Sequence, residues 1–150
     1  MTENVNISID EKFTIDENAV LEVVEALKTE LKFNIDSIEI NFLDENYILE
    51  LNREYLNHDY NTDIITFNYS GDNDMLDGEI FISVDDAFNN ADLYNVEKNN
   101  ELLRLIIHGF LHLLGYDDST AEEKKIQKAL EDQLVNKYSY LAKKLCAVYD

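Results

Sequence analysis

Two histidines stand four positions apart in the most apolar stretch of this chain, His108-Gly109-Phe110-Leu111-His112-Leu113-Leu114-Gly115-Tyr116-Asp117-Asp118. On a helix such residues project from one face, so both imidazoles can share one ion. Gly115, three residues on, can adopt the left-handed conformation that stops a helix. The chain then folds back, and Asp118 can reach the same ion, with Asp117 beside it as the alternative third ligand. The run Leu102-Leu103-Arg104-Leu105-Ile106-Ile107, continued by Phe110-Leu111 and Leu113-Leu114, is apolar almost all round and predicts a helix buried on most faces. Imidazoles placed there need partners, because a buried polar group left unpaired costs roughly 1 to 3 kcal/mol. The competing interpretation is a buried histidine pair bonded to backbone carbonyls. Glycine inside a helix is unfavourable by about 1 kcal/mol against alanine, so Gly109 points to a ligand or a tightly packed neighbour at the backbone.

The spacing H-x-x-x-H-x-x-G-x-x-D is similar to the metzincin zinc site H-E-x-x-H-x-x-G-x-x-H, with an acid as third ligand and Gly109 where the peptidase carries its glutamate base. The expected metal ligands are therefore His108, His112 and Asp118, and the expected ion is zinc, one per chain. Two neutral imidazoles and one carboxylate leave bound zinc a net charge of about +1, and a carboxylate ligand also admits nickel, manganese or iron. Three protein ligands leave a position for water whose pKa zinc can lower to around 7, which suits hydrolysis. Metal-bound histidines usually donate their second nitrogen to a carbonyl or carboxylate, and Asp59 or Asp63 is the expected partner.

The elements that position this motif read as alternating short strands and helices. Val5, Ile7 and Ile9 alternate with polar residues as a first strand, and Thr14 with Glu17 forms a capping box before a helix presenting Val20, Leu21, Val24, Leu27 and Leu31. Ile38, Ile40 and Phe42 mark a second strand, and Asp44 caps a helix bearing Ile48, Leu51 and Tyr55. Ile64-Ile65-Thr66-Phe67 and Ile80-Phe81-Ile82-Ser83-Val84 are two further strands around the turn-rich Ser70-Gly71-Asp72-Asn73-Asp74. Helices follow from about Asp85 to Leu93, from about Glu97 to Leu114, and after Asp118, where Ser119 and Glu122 form a capping box. The expected fold is α+β, a single domain over residues 1–150 with a four-stranded mixed sheet packed against helices and the metal motif on a central buried helix.

At 150 residues and 45% hydrophobic content the chain suits one domain with a substantial core and no covalent staples. The lone Cys146 has no disulfide or metal-binding partner cysteine, the start lacks a signal peptide, and no apolar run spans a membrane, so a cytoplasmic, non-membrane protein is expected. A net charge of -20 repels nucleic acid, but it is uneven: residues 1–118 carry 6 basic and 27 acidic side chains, residues 119–150 carry 6 and 5. Any anion-facing surface is therefore local, with Lys124, Lys125, Lys128, Arg53 and Arg104 as candidates. The same lysines equally suit a merely solvated helix face.

The motif and its order resemble the YbeY-type family of bacterial endoribonucleases of rRNA maturation, whose signature reads H-G-x-L-H-L-x-G-Y-D-H. Here it stands as His108, Gly109, Leu111, His112, Leu113, Gly115, Tyr116 and Asp117, with Asp118 in the third histidine's place. An upstream family block, N-x-x-[FY]-R-x-x-D-x-x-T-[DN]-V-L-S-F, is matched through Asn52, Tyr55, Asp59, Thr62, Asp63 and Phe67. A third, G-D-I-x-I-S, is matched by Gly78-Glu79-Ile80-Phe81-Ile82-Ser83. The family's arginine falls on Leu56, so the cation expected to face phosphate is missing there, and Arg53 or His58 are the candidate substitutes among catalytic residues. The resemblance implies a metal-dependent endoribonuclease acting on ribosomal RNA, possibly with a ribosomal protein partner. The alternatives are a non-catalytic metal-binding ribosome-assembly factor and, third, a small zinc peptidase, which Gly109 disfavours.

Overall fold

Alternating apolar residues build a sheet whose strands run β1 (Val5–Ile9), β3 (Asn34–Leu43), β5 (Met75–Ser83) and β4 (Ile64–Asn68) in spatial order, with β2 (Phe13–Thr14) preceding α1 (Glu17–Leu31) in the chain. Strands β1, β3 and β5 are parallel, and β4 is an antiparallel edge, so the sheet is mixed as expected. The computed structural model describes residues 4–55, 62–71, 74–116 and 119–150. Beyond α1 the helices are α2 (Glu45–Tyr55), α3 (Val84–Tyr94), α4 (Lys98–Leu113) and α5 (Ala121–Ala142), followed by a 3-10 turn at Lys143–Leu145. The chain closes with β6 (Val148–Tyr149), which pairs antiparallel with β2.

The two faces of the sheet are covered differently. Ile38, Ile40, Phe42, Leu76, Ile80 and Ile82 join the main core with α1, α3, α4 and α5. On the other face, Ile48 and Leu51 of α2 form a smaller cluster with Ile65, flanked by Leu43, Phe67 and Phe81. Alternation along the strands sends neighbouring residues to opposite faces and so supplies both.

Several element ends differ from expectation. Asp16, not Thr14, caps α1 by accepting from the Ala19 amide at 3.2 Å, because Thr14 is drawn into β2. Thr120, not Ser119, caps α5, accepting from the Glu123 amide at 3.1 Å, one residue later than the expected box. Asp44 does cap α2, through Tyr47 at 2.9 Å. Ser83 ends β5 and its hydroxyl caps α3 through the Asp86 amide at 3.2 Å, so Val84 opens a helix rather than closing a strand. The strand pair β2–β6 has no alternating pattern long enough to be read from sequence, since each strand has two residues.

Candidate metal centre

Helix α4 carries ten buried residues, from Glu101 to Leu113, and lies unusually close to the sheet. A Cβ added at Gly109 would stand 3.0 Å from Ile80 Cγ2 and 3.2 Å from Ile64 Cδ1, so β4 and β5 are the tightly packed neighbours that Gly109 admits. Gly78 in β5 serves the same closeness from the other side: a Cβ there would press into the Phe67 carbonyl and reach Leu113 Cδ2 at 3.0 Å. At the end of α4, Gly115 has φ +98° and donates its amide to the His112 carbonyl at 3.1 Å, while the Tyr116 amide reaches the Leu111 carbonyl at 3.0 Å. This paired reversal is the Schellman stop that the motif's glycine predicts. Asn68 of β4 adds a side-chain bond from Nδ2 to the Leu113 carbonyl at 3.3 Å, tying the helix end to the sheet edge.

The result places both histidines together. Their rings lie 4.7 Å apart between centroids, tilted by 51°, and both line a cavity of about 300 Å³ with Thr62, Asp63, Ile64 and Thr66. Their shared cavity is the arrangement expected of an ion-binding pair and not of two imidazoles sealed in a core. Among the described residues, no group of three or more His, Cys, Asp or Glu forms that could hold a metal. The expected third ligand Asp118 and its alternative Asp117 lie outside the described residues, as do Leu56, His58 and Asp59.

Around the histidines the polar partners are specific. His108 Nδ1 lies 2.9 Å from Glu131 Oε1 on α5, and Gln127 Nε2 lies 3.5 Å from the same nitrogen. Asp63, expected as a histidine partner, instead accepts from Asn90 Nδ2 at 3.4 Å while its backbone carbonyl accepts from the Ser83 amide at 2.9 Å. Burial pushes the Asp63 carboxyl above its usual range, with Asp86 and Glu131 adding to the rise and His108 opposing it. Arg104 is engaged by Asp132 at 2.6 Å, Glu131 at 3.3 Å and Glu101 at 3.7 Å. Although burial works against the guanidinium, the hydrogen bond to Asp132 and the nearby carboxylates outweigh it and raise its pKa. Arg104 therefore serves this carboxylate cluster and is not the anion-facing cation proposed from sequence. Burial also raises the Glu101 carboxyl, with Arg104 pulling the other way.

Arg53 is exposed near the end of α2, which packs on the sheet face opposite α4, and it does not line the histidine cavity. Lys124, Lys125 and Lys128 are exposed on α5, with Lys128 lying 3.7 Å from Asp132. Glu131 was missed at the sequence level, though a signal existed: Gln127, Glu131, Leu134 and Val135 share one buried face of α5, and a glutamate on such a stripe needs a partner.

The family model described as "Endoribonuclease YbeY" matches residues 2–139. The chain belongs to the YbeY family. Proteins named "Endoribonuclease YbeY" are similar to it at 44% identity over 101 residues in Cytophaga hutchinsonii, covering 67% of this chain and 71% of that relative. The relative from Chlorobaculum tepidum is 41% identical over 121 residues, covering 81% and 88%. A Thermotoga maritima protein solved in solution shares the architecture with a TM-score of 0.61 at 26% identity, covering 91% of this chain and 92% of that one. Within this YbeY framework the third sequence block is largely structural: Gly78 admits the Phe67 carbonyl, Ile80 and Ile82 are core, and Ser83 starts α3. No helix among the described residues is long and apolar enough to cross a membrane.

Proposed function

We propose that this chain is a metal-dependent endoribonuclease that cleaves phosphodiesters of ribosomal RNA during ribosome maturation. The observation that carries the proposal is the convergence of His108 and His112 on one cavity with Thr62, Asp63 and Thr66, in a chain of the YbeY family. The donor set suits zinc: two imidazoles on one helix face, one with Nδ1 already engaged by a carboxylate, and a carboxylate at Asp118 as the third ligand proposed from the motif spacing. When bound, zinc supplies Lewis acidity and a water of lowered pKa for hydrolysis. Nickel, manganese or iron suits the same donors.

The chain's own residues prepare the cavity in three ways. His108 and His112 hold the ion, and Gly109 keeps their helix against β4 and β5 so that the pair opens beside the edge strand. Asp63, with its carboxyl raised by burial, can carry or accept a proton at its side-chain oxygen within the cavity. Thr62 and Thr66 line the same space with hydroxyls able to hydrogen-bond phosphate oxygens. Arg53 and His58 remain the candidate substitutes for the arginine replaced by Leu56. Because the protein carries a net charge of -20, its approach to rRNA is local and calls for a basic partner such as a ribosomal protein or a bridging cation.

The test compares wild type with His112→Ala on a structured rRNA fragment, with a casein control and metal analysis of both proteins. RNA cleavage is expected to fall at least a hundredfold in the variant, with casein untouched by either protein. Equal RNA cleavage by the two would identify a contaminating nuclease and sink the endoribonuclease. Metal retention with no cleavage by the wild type would favour the non-catalytic assembly role, for which the missing arginine at Leu56 speaks.

A further inference from the structure

Glu131 spans two partners with its two oxygens. Oε1 lies 2.9 Å from His108 Nδ1, and Oε2 lies 3.3 Å from the Arg104 guanidinium. Arg104 and His108 are four residues apart on α4, so one carboxylate on α5 meets two consecutive turns of the metal helix. Glu131 is only 8% exposed, which makes both contacts hard for water to replace. Arg104 is itself held by Asp132 at 2.6 Å and by Glu101 at 3.7 Å, so the guanidinium is anchored from both helices.

We propose that Glu131 is the positioning residue of this centre: it fixes the Nδ1–H form of His108 and thereby presents Nε2 to the ion, with Arg104 holding Glu131 in place. The inference rests on the metal-centre assignment above and adds the residue that orients its ligand. A carboxylate can only accept, so a 2.9 Å contact from a neutral imidazole requires the proton on Nδ1 and leaves the lone pair on Nε2. The amide nitrogen of Gln127, at 3.5 Å from the same Nδ1, cannot also donate to a protonated nitrogen, and the shorter Glu131 contact decides. A carboxylate behind the imidazole also makes it a more basic ligand, an effect typically seen as 10- to 100-fold in metal affinity. Asp63 does not perform this task, since its side chain is bonded to Asn90.

A purely structural Glu131–Arg104 pair would stabilise the α4–α5 contact without touching the proton on His108. Two readouts separate these roles: the ring-nitrogen NMR signals of His108 in metal-free protein at a pH where the ring is neutral, and the zinc dissociation constant from competition with a chromophoric chelator. Wild type is expected to show the Nδ1–H form. Glu131→Gln keeps an accepting oxygen and should keep that form while binding zinc about tenfold more weakly, through loss of the charge. Glu131→Leu should release the tautomer and weaken zinc roughly a hundredfold, with Arg104→Lys falling between wild type and Glu131→Gln. If Glu131→Leu does not fold, the nearly isosteric Glu131→Gln alone decides, because a tenfold loss is well outside the error of competition. An Nε2–H form in the wild type, or zinc affinity in folded Glu131→Gln within twofold of wild type, overturns the proposal. Failure of the wild type to bind zinc overturns the metal centre as well, whereas unchanged binding in the variants overturns only the role of Glu131.

Discussion

On the α4–α5 side of the molecule, Glu101, Glu131 and Asp132 converge on one guanidinium, while on the outer sheet face Glu39 and Glu79 stand opposite each other on parallel strands with a tyrosine as neighbour. Tyr69 donates its hydroxyl to Glu79 at 3.4 Å, and among the described residues no cation pairs with either glutamate. Burial pushes the Glu79 carboxyl up, the charge of Glu39 pushes it further, and only the Tyr69 hydroxyl opposes. The pair borders a groove of about 510 Å³ lined by Tyr47, Leu51, Tyr55, Phe67 and Phe81, open where the inner face is sealed by helices. A buried carboxylate thus contributes orientation only where a cation offsets its desolvation, and the molecule places its compensated cluster behind the histidines.

The largest effect is expected where the inner face is tightest. Gly78→Ala drives a methyl group into the Phe67 carbonyl and against Leu113, so the backbone has to shift, and urea unfolding should show a loss of about 3 kcal/mol. Gly109→Ala meets only the ends of Ile80 and Ile64 side chains and gains about 1 kcal/mol of helix propensity, so its net loss should be about 1 kcal/mol. If both glycines tolerate alanine equally, the close seating of α4 on the sheet is not what selects them.

Next in size comes the same Glu-to-Gln change made in both carboxylate clusters. Glu131→Gln removes charge-assisted bonds to Arg104 and should destabilise the fold by about 1.5 kcal/mol in thermal or denaturant unfolding. Glu79→Gln removes repulsion from Glu39 and should stabilise by about 0.5 kcal/mol. Changes of the same sign at the two sites would break the contrast between them.

The smallest effect is in pH dependence. With folded-state pKa values raised at Glu79 and Asp63, the folded protein holds more protons than the unfolded chain just above the unfolded carboxyl pKa of about 4. Their contribution is therefore fully present below that pH and is lost as pH rises through the raised values. Glu79→Gln should flatten this decline in a series of unfolding curves from pH 4 upward, and an unaltered slope would remove Glu79 as a source.

Much of the inner face was legible because it depends on local periodicity. The α4 helix, its glycine stop and the four strands follow from residue spacing alone, and the observed α4, Lys98–Leu113, agrees with the expected span to within a residue at either end. Cap positions were less legible because Thr14 and Ser119 are as good capping residues as Asp16 and Thr120, and only the neighbouring strand or turn selects among them. Arg104 looked like a free cation on a helix because its acidic partners Glu131 and Asp132 sit on a different helix.

What the sequence by itself determined is the histidine pair, its shared helix face and the turn that follows, since all three are set within one or two helical turns. What only the tertiary structure decided is the partner of His108. Glu131 is 23 residues away in sequence, and its selection over Asp63 depends on how α5 docks across α4, a packing outcome that no local spacing encodes.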